Sequence, residues 1–260
     1  MLFNGFFKTF KNLNNLIKKN LKDIYKNSNF YEKKISKTFD TKFHYKPSPY
    51  LLSSLINYQN KKYKIDELDL ISIWENKSQS KEFKKLNNFF WFFSLDLKSS
   101  RKLVQEVIIN WVGRNSKFKK ESWGFDTTAK RIISWLSNHQ LSYEDSNKEY
   151  RSKFDHMIHK QTNHLIYEIK RSNKLDDKII GSTAIILVGL TYGDVFYLKF
   201  GIDLLKQILN FSLDSSSFPK SRNLRQLVLY LKYLIVIREL LKESQTNIPD
   251  FLDEIIFYLG

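Results

Sequence analysis

Cysteine is absent from all 260 residues, alanine occurs only at Ala129 and Ala184, and the chain holds four prolines, eight glycines and two methionines. Without thiols there is neither a disulfide nor a thiolate metal site, and the redox compartment is left open. No Gly-rich phosphate loop, no HExxH, no GxSxG and no exact internal repeat occurs, so the commonest nucleotide, metalloprotease and hydrolase signatures are missing. Long apolar runs are missing too. The longest candidates are cut by Asn87, Asn88, Ser94 and Lys232, well short of the ~20 residues a membrane helix needs. The opening MLFNGFF is interrupted at Lys8 and Lys11 before a signal-peptide core is long enough, so no secretion signal is read and the cytoplasm is the default compartment.

Hydrophobic residues, by contrast, make up 42% of the chain, among them 21 Phe, 14 Tyr and 5 Trp, enough to bury a substantial core. The 43 basic and 27 acidic residues give a net charge of +16, which raises nucleic acid, an anionic membrane or an acidic polymer as partner. Lysine far exceeds arginine, and asparagine and isoleucine are abundant, a bias that AT-rich coding imposes on any surface. Net charge alone therefore carries no case for nucleic acid.

Residues 2–25 place Phe3, Phe6, Phe7, Phe10, Leu13, Ile17, Leu21 and Ile24 at three- and four-residue intervals with lysines between them, an amphipathic basic helix. Its apolar face is expected to dock on the chain's own domain; lying on a membrane surface is the other reading. Asn27–Pro49 reads as a polar connector, so residues 1–49 form an N-terminal helix and connector, and 50–260 the main domain. Tyr50–Ile65 reads as a short strand or two about a turn at Asn57–Lys62. From Asp66 the pattern is helical: 66–75, a widely apolar 81–97, a helix capped by Ser99 or Ser100 and stopping at Gly113, then 148–171, 177–192, 194–211, 221–244 and a last helix entered through Asn247 and Pro249. Short joints between consecutive helices predict an all-α fold of antiparallel hairpins.

Within this pattern WGFDTTAKRIISWLSNHQ, Trp123 to Gln140, combines a helix start at Asp126 with apolar positions Ala129, Ile132, Ile133 and Leu136. Arg131 and Trp135 lie four apart and share a helix face, where a guanidinium beside an indole suits a sugar carboxylate stacked on an aromatic plane. The alternative is that the tryptophans are core and Arg131 pairs elsewhere.

Three stretches resemble the helical domain of the heparinase II/III family of polysaccharide lyases. FFWFFSLDLKSSRKLVQEVIINWV with WGFDTTAKRIISWL is similar to the family's aromatic-rich helix and its Trp-x(7)-Arg-x(3)-Trp run. QTNHLIYEIKRSNKLDDKIIGSTAIILVGLTYGD follows the register Q-x-x-H-L…G-N-H-L-x-x-N-x-x-A-L…G-L-x-x-G. QILNFSLDSSSFPKSRNLRQLVLYLKYLIVIREL resembles I-L-x-D-G-G-x-F-x-R-S-P-x-Y-H followed by a long apolar helix. Together they cover about residues 65–245. The resemblance implies an incomplete α/α toroid with a cleft for an acidic, uronate-containing polysaccharide such as a glycosaminoglycan. It also implies a following β-sandwich in full-length relatives, which this chain, ending at Gly260, is expected to lack.

β-Elimination at a uronic acid requires neutralising the carboxylate, accepting the α-proton and protonating the leaving oxygen. Carried over by position, the family's Asn-His pair falls on Asp176 and Asp177, and its Tyr-His pair on Leu224 and Arg225. Leu224 transfers no proton, and two carboxylates repel a substrate carboxylate; either aspartate reads more simply as a helix cap. The candidate catalytic residues are accordingly Asp176, Asp177, His164, which keeps the family's H-L position, and Tyr192, a stand-in for the missing tyrosine alongside Tyr197. The candidate binding residues are Trp123, Arg131, Trp135, Lys220, Arg222 and Arg225. His139, His156 and His159 complete no metal pattern, and neither metal nor cofactor is expected. The sequence thus predicts a lyase-like fold that binds an acidic polysaccharide, cleaving it only if a repositioned side chain or a C-terminal domain outside this chain supplies the lost acid and base; a catalytically inactive binding or scaffolding module is the alternative.

Overall fold

The computed structural model describes residues 17, 20–37, 42–56, 81–172, 174–215 and 217–260. Among them the fold is all-α, with no strand; an isolated antiparallel bridge pairs Leu213 with Pro219. In chain order the helices are α1 (20–26), α2 (Asn29–Ile35), α3 (Pro49–Ile56), α4 (Lys81–Asn87), a 3-10 turn (Phe90–Ser94), α5 (Arg101–Arg114), α6 (Phe125–Ser137), the short α7 (His139–Ser142), α8 (Lys148–Ile169), α9 (Leu175–Tyr192), α10 (Val195–Ser212), α11 (Leu224–Glu243) and α12 (Asp250–Leu259).

α9 is the hub. Every residue from Ile179 to Tyr192 is buried, so the helix is covered on all sides, packing against α6, α8, α10 and α11. Its contact with α10 is set by two glycines facing opposite ways. A Cβ on Gly189 would lie 2.5 Å from the Leu198 backbone nitrogen, and one on Gly201 would lie 2.6 Å from Ile186 Cγ1. The helices therefore approach as closely as bare backbone allows. Gly193, at φ 65°, closes α9 in the left-handed conformation and turns the chain into α10, whose first turn is capped by Asp194 Oδ1 accepting from the Tyr197 N–H (3.0 Å). Ser100, Asn147 and Asn223 cap α5, α8 and α11 in the same way.

Several sequence expectations change. The connector 27–49 contributes α2, capped by Ser28, with Tyr31 and Ile35 in the core. The strand expected from Tyr50 begins instead as helix α3; the rest of that expectation, and the helix at 66–75, fall outside the described residues. The single helix expected over 81–97 breaks at Phe89, which adopts φ 57° before the 3-10 turn, because its aromatic side chains pack into the core from both sides of a bend. α5 is capped by Ser100, as expected, but runs one residue past Gly113, and α6 starts after Gly124, which leaves Asp126 in the first turn and not at the cap. Neither Asp176 nor Asp177 is a cap either; Lys174 precedes α9 and both carboxylates lie in its first turn, where they favour the helix dipole.

Of the helix expected over 2–25, residues 17 and 20–25 are described and the rest lies outside the described residues; within the described part α1 docks through its polar side. Lys22 and Lys26 reach Glu168 at 3.1 and 2.8 Å, and Tyr25 packs on Tyr31 and Tyr167. Ile17, Leu21 and Ile24 point to solvent. Burial alone raises the Glu168 carboxyl, but the two lysines bring it below its ordinary value; burial lowers the Lys26 ammonium in turn.

Candidate functional site

Arg131 and the tryptophans occupy the core. Arg131 is fully buried, and its guanidinium lies 3.9 Å from the Trp111 ring centre, not on Trp135. Nε donates to Gln161 Oε1 (2.9 Å), Nη1 to the carbonyls of Asn87 (2.6 Å) and Ser122 (3.0 Å), and Nη2 to Thr128 Oγ1 (3.3 Å). Desolvation drives its pKa well below the ordinary arginine value. Every partner is neutral, so the cation is stabilised by dipoles and the aromatic face in place of a carboxylate. Trp135 is buried edge-on to Phe89 and Trp111, and Trp123 donates its indole N–H to the Asn115 carbonyl (3.1 Å). These three positions, expected at a ligand, hold the centre of the fold.

His164 continues the same network. It is fully buried between Tyr31 Oη (2.7 Å from Nδ1) and the Trp123 carbonyl (3.1 Å from Nε2). A carbonyl can only accept, so Nε2 carries the proton and Nδ1 accepts from the phenol. Burial pushes its pKa down to about 3, which fixes it as neutral. Asn87 closes the other end, accepting from the Trp111 indole (2.8 Å). From Asn87 through Arg131, Ser122, Trp123 and His164 to Tyr31, a polar chain ties α2, α4, α6 and α8 together.

Tyr192 is likewise enclosed. Its phenol donates to Asp155 Oδ1 (2.7 Å), Tyr143 donates to Oδ2 (3.0 Å), and Phe43 lies against both rings. Burial raises the Asp155 carboxyl against the pull of these hydrogen bonds, and burial beside Asp155 raises the Tyr192 phenol well above its ordinary value. His159, with a centroid 4.6 Å from Tyr192, is lowered to about 4 by burial. Asp155 had no signature in the sequence; its role emerges only because α8 passes both tyrosines. Asp176 accepts from Gln226 Nε2 (2.6 Å), fastening the start of α9 to α11, while burial and then the neighbouring Asp126 raise the Asp177 carboxyl.

The remaining candidates do reach solvent, and together. Between α10 and α11 the chain forms a tight loop in which the Asp214 N–H donates to the Phe218 carbonyl (2.9 Å) and the Lys220 N–H to the Ser212 carbonyl (2.9 Å). Lys220, Arg222 and Arg225 are exposed on this corner. The Lys220 ammonium lies 5.7 Å from the Phe211 ring centre, and the Arg222 guanidinium 5.3 Å from that of Phe218. Asp214 pairs with Arg222 (2.8 Å) and fixes its direction; Leu224, 68% exposed, opens α11 beside them. Lys220, Arg222, Phe211 and Phe218 thus make a short cationic lip with ring faces, with Arg225 exposed in the first turn of α11, an arrangement that suits anionic groups on a stiff polymer.

A second open cationic surface went unread in the sequence. Arg171, four residues after Tyr167, stacks its guanidinium 3.8 Å from that ring centre, and the Lys34 ammonium lies 4.9 Å from it. The Tyr-x-x-x-Arg spacing was visible, by the same rule that singled out Arg131 and Trp135.

Comparison with models of known protein families, with curated proteins and with solved structures finds no match for this chain.

Proposed function

We propose that this chain is a heparinase II/III-like helical module, an incomplete toroid that binds an acidic, uronate-bearing polysaccharide at the α10–α11 corner without cleaving it. The observation that carries the reading is the fate of the candidate residues: Lys220 and Arg222 stand in solvent against Phe211 and Phe218, with Arg225 exposed three residues on, whereas His164 and Tyr192 are enclosed by Tyr31 and Asp155. Ground-state attraction to a polyanion needs only exposed cations. Elimination needs more. A proton acceptor must reach the sugar, and general acid and base catalysis contributes roughly 10² to 10⁴-fold. His164 is held neutral with both ring nitrogens engaged, Tyr192 is hydrogen-bonded to Asp155 beneath Phe43, and Leu224 carries no proton. Asp176 is tied to Gln226 and would repel a uronate.

The test is titration of the chain with heparan sulfate and alginate across a salt series, with neutral dextran as control, alongside the ultraviolet absorbance of the unsaturated product. Salt-sensitive binding to the acidic polymers without turnover is expected. Equal affinity for dextran overturns the binding site, and turnover overturns the non-catalytic reading in favour of a lyase.

A further inference from the structure

The clearest feature the polysaccharide reading leaves unused is the outer face of α1. A helix with one apolar and one cationic side normally buries the apolar side; this one is pinned by its cations to Glu168, leaving Leu21 and Ile24 exposed by 60% and 67%. Phe30 at the start of α2, 68% exposed, lies 6.2 Å from Tyr25 and adds a further exposed apolar side chain close to α1.

Next to this apolar edge is an open groove of about 450 Å³ lined by Lys34, Tyr167, Lys170, Arg171, Asn163 and Phe196, with no acidic side chain on its walls. Tyr25 of α1 packs 5.8 Å from Tyr167, a lining residue, which sets α1 beside the groove wall. Lys34 and Arg171 are both held over the Tyr167 ring, which presents two cations in fixed positions. Apolar side chains beside a cluster of cations match the two layers of an anionic bilayer: the acyl boundary and the phosphates above it.

We propose that this face is a lipid-binding surface, with Leu21, Ile24 and Phe30 entering the headgroup boundary of an anionic membrane and Lys34, Lys170 and Arg171 holding lipid phosphates. A second copy of the chain fits less well, because the groove walls carry three cations and no acidic side chain to answer them across a two-fold pairing of this face. A nucleic acid would leave the apolar edge in water.

Flotation of the full chain with phosphatidylcholine vesicles, with and without phosphatidylserine, tests the assignment. Binding is expected only to the phosphatidylserine vesicles and weakens as salt rises. Leu21→Ser with Ile24→Ser should lower partitioning about tenfold or more, and Lys34→Ala with Arg171→Ala about thirtyfold, at about fivefold per cation. All four positions are exposed or open to the groove, so the unfolding midpoint should hold, and the two double variants report independently. Equal flotation with purely phosphatidylcholine vesicles, or no effect of either double variant, overturns the proposal. So does a dimer in sedimentation that disappears with Leu21→Ser and Ile24→Ser while no vesicle binding is seen.

Discussion

Two arginine and aromatic pairs, each spaced four residues apart, have opposite fates in this molecule. Arg131 and Trp135 on α6 are sealed in the core, where Arg131 turns away from Trp135 to lie on Trp111 and donates to four neutral oxygen acceptors. Tyr167 and Arg171 at the end of α8 stack on each other over an open groove. Helical spacing says which side chains can meet; it does not say which side of the helix meets water. That is decided by what covers the helix. α6 is buried along most of its length by α8, α9 and the 3-10 turn, whereas Arg171 follows the last turn of α8, beyond the packing. The same residue type is a structural centre in one place and an exposed cation, stacked on Tyr167, in the other.

The contrast is broken most directly by removing both guanidinium groups. Arg131→Met leaves the Asn87 and Ser122 carbonyls and Gln161 without their donor, and should lower stability by about 3–5 kcal/mol in urea denaturation. Arg171→Met should cost well under about 1 kcal/mol. Comparable losses at the two sites would mean that Arg131 is not the hub of the polar network.

Packing around α9 makes the next test. Gly189→Ala drives a methyl into the Leu198 backbone, which cannot turn aside as a side chain end would, so a loss at the upper end of about 1–3 kcal/mol is expected. Gly113→Ala, at a position where a Cβ meets nothing within 4 Å, should be neutral or slightly stabilising. A thermal midpoint unmoved by Gly189→Ala would mean that α9 and α10 separate without cost.

Acid sharpens the comparison between buried and exposed imidazoles. His164 and His159 are held down to about 3 and about 4 from an ordinary 6.5, so below pH 6.5 the unfolded chain takes up protons that the folded chain refuses. The stability they confer is complete above pH 6.5 and is lost as pH falls toward those values, by about 2 kcal/mol per histidine between pH 6.5 and 5. His164→Gln should flatten the slope of stability against pH by nearly one proton in that window. An unchanged slope would show that His164 titrates freely when folded.

Much of the architecture was legible in the sequence, because apolar residues recur at helical spacing. The helices expected over 148–171, 177–192, 194–211 and 221–244 stand as α8, α9, α10 and α11, and Ser100 caps α5. What resisted reading depended on distant partners. Phe89 breaks an apparently continuous helix to bring its ring onto Trp91, Phe92, Trp111 and Trp135. Ser28 and Tyr31 make a core helix out of an apparent linker because His164, 133 positions away, supplies the acceptor for Tyr31. Of the candidate site, only Lys220, Arg222 and Arg225 stand in solvent as expected of binding cations; Trp123, Arg131, Trp135, His164 and Tyr192 were chosen for chemistry that burial turns to packing.

The smallest effect on stability should accompany the largest effect on binding, at the α10–α11 corner. The decisive measurement is the affinity of Lys220→Ala, Arg222→Ala, Arg225→Ala for heparan sulfate as a function of salt, together with its unfolding midpoint. Each substitution lies on the surface and should shift stability by no more than about 0.5 kcal/mol. Affinity should fall by an order of magnitude or more at low salt, and its dependence on salt should become shallower. An intact midpoint with undiminished, equally salt-sensitive binding would place the polysaccharide elsewhere and contradict the corner as the site.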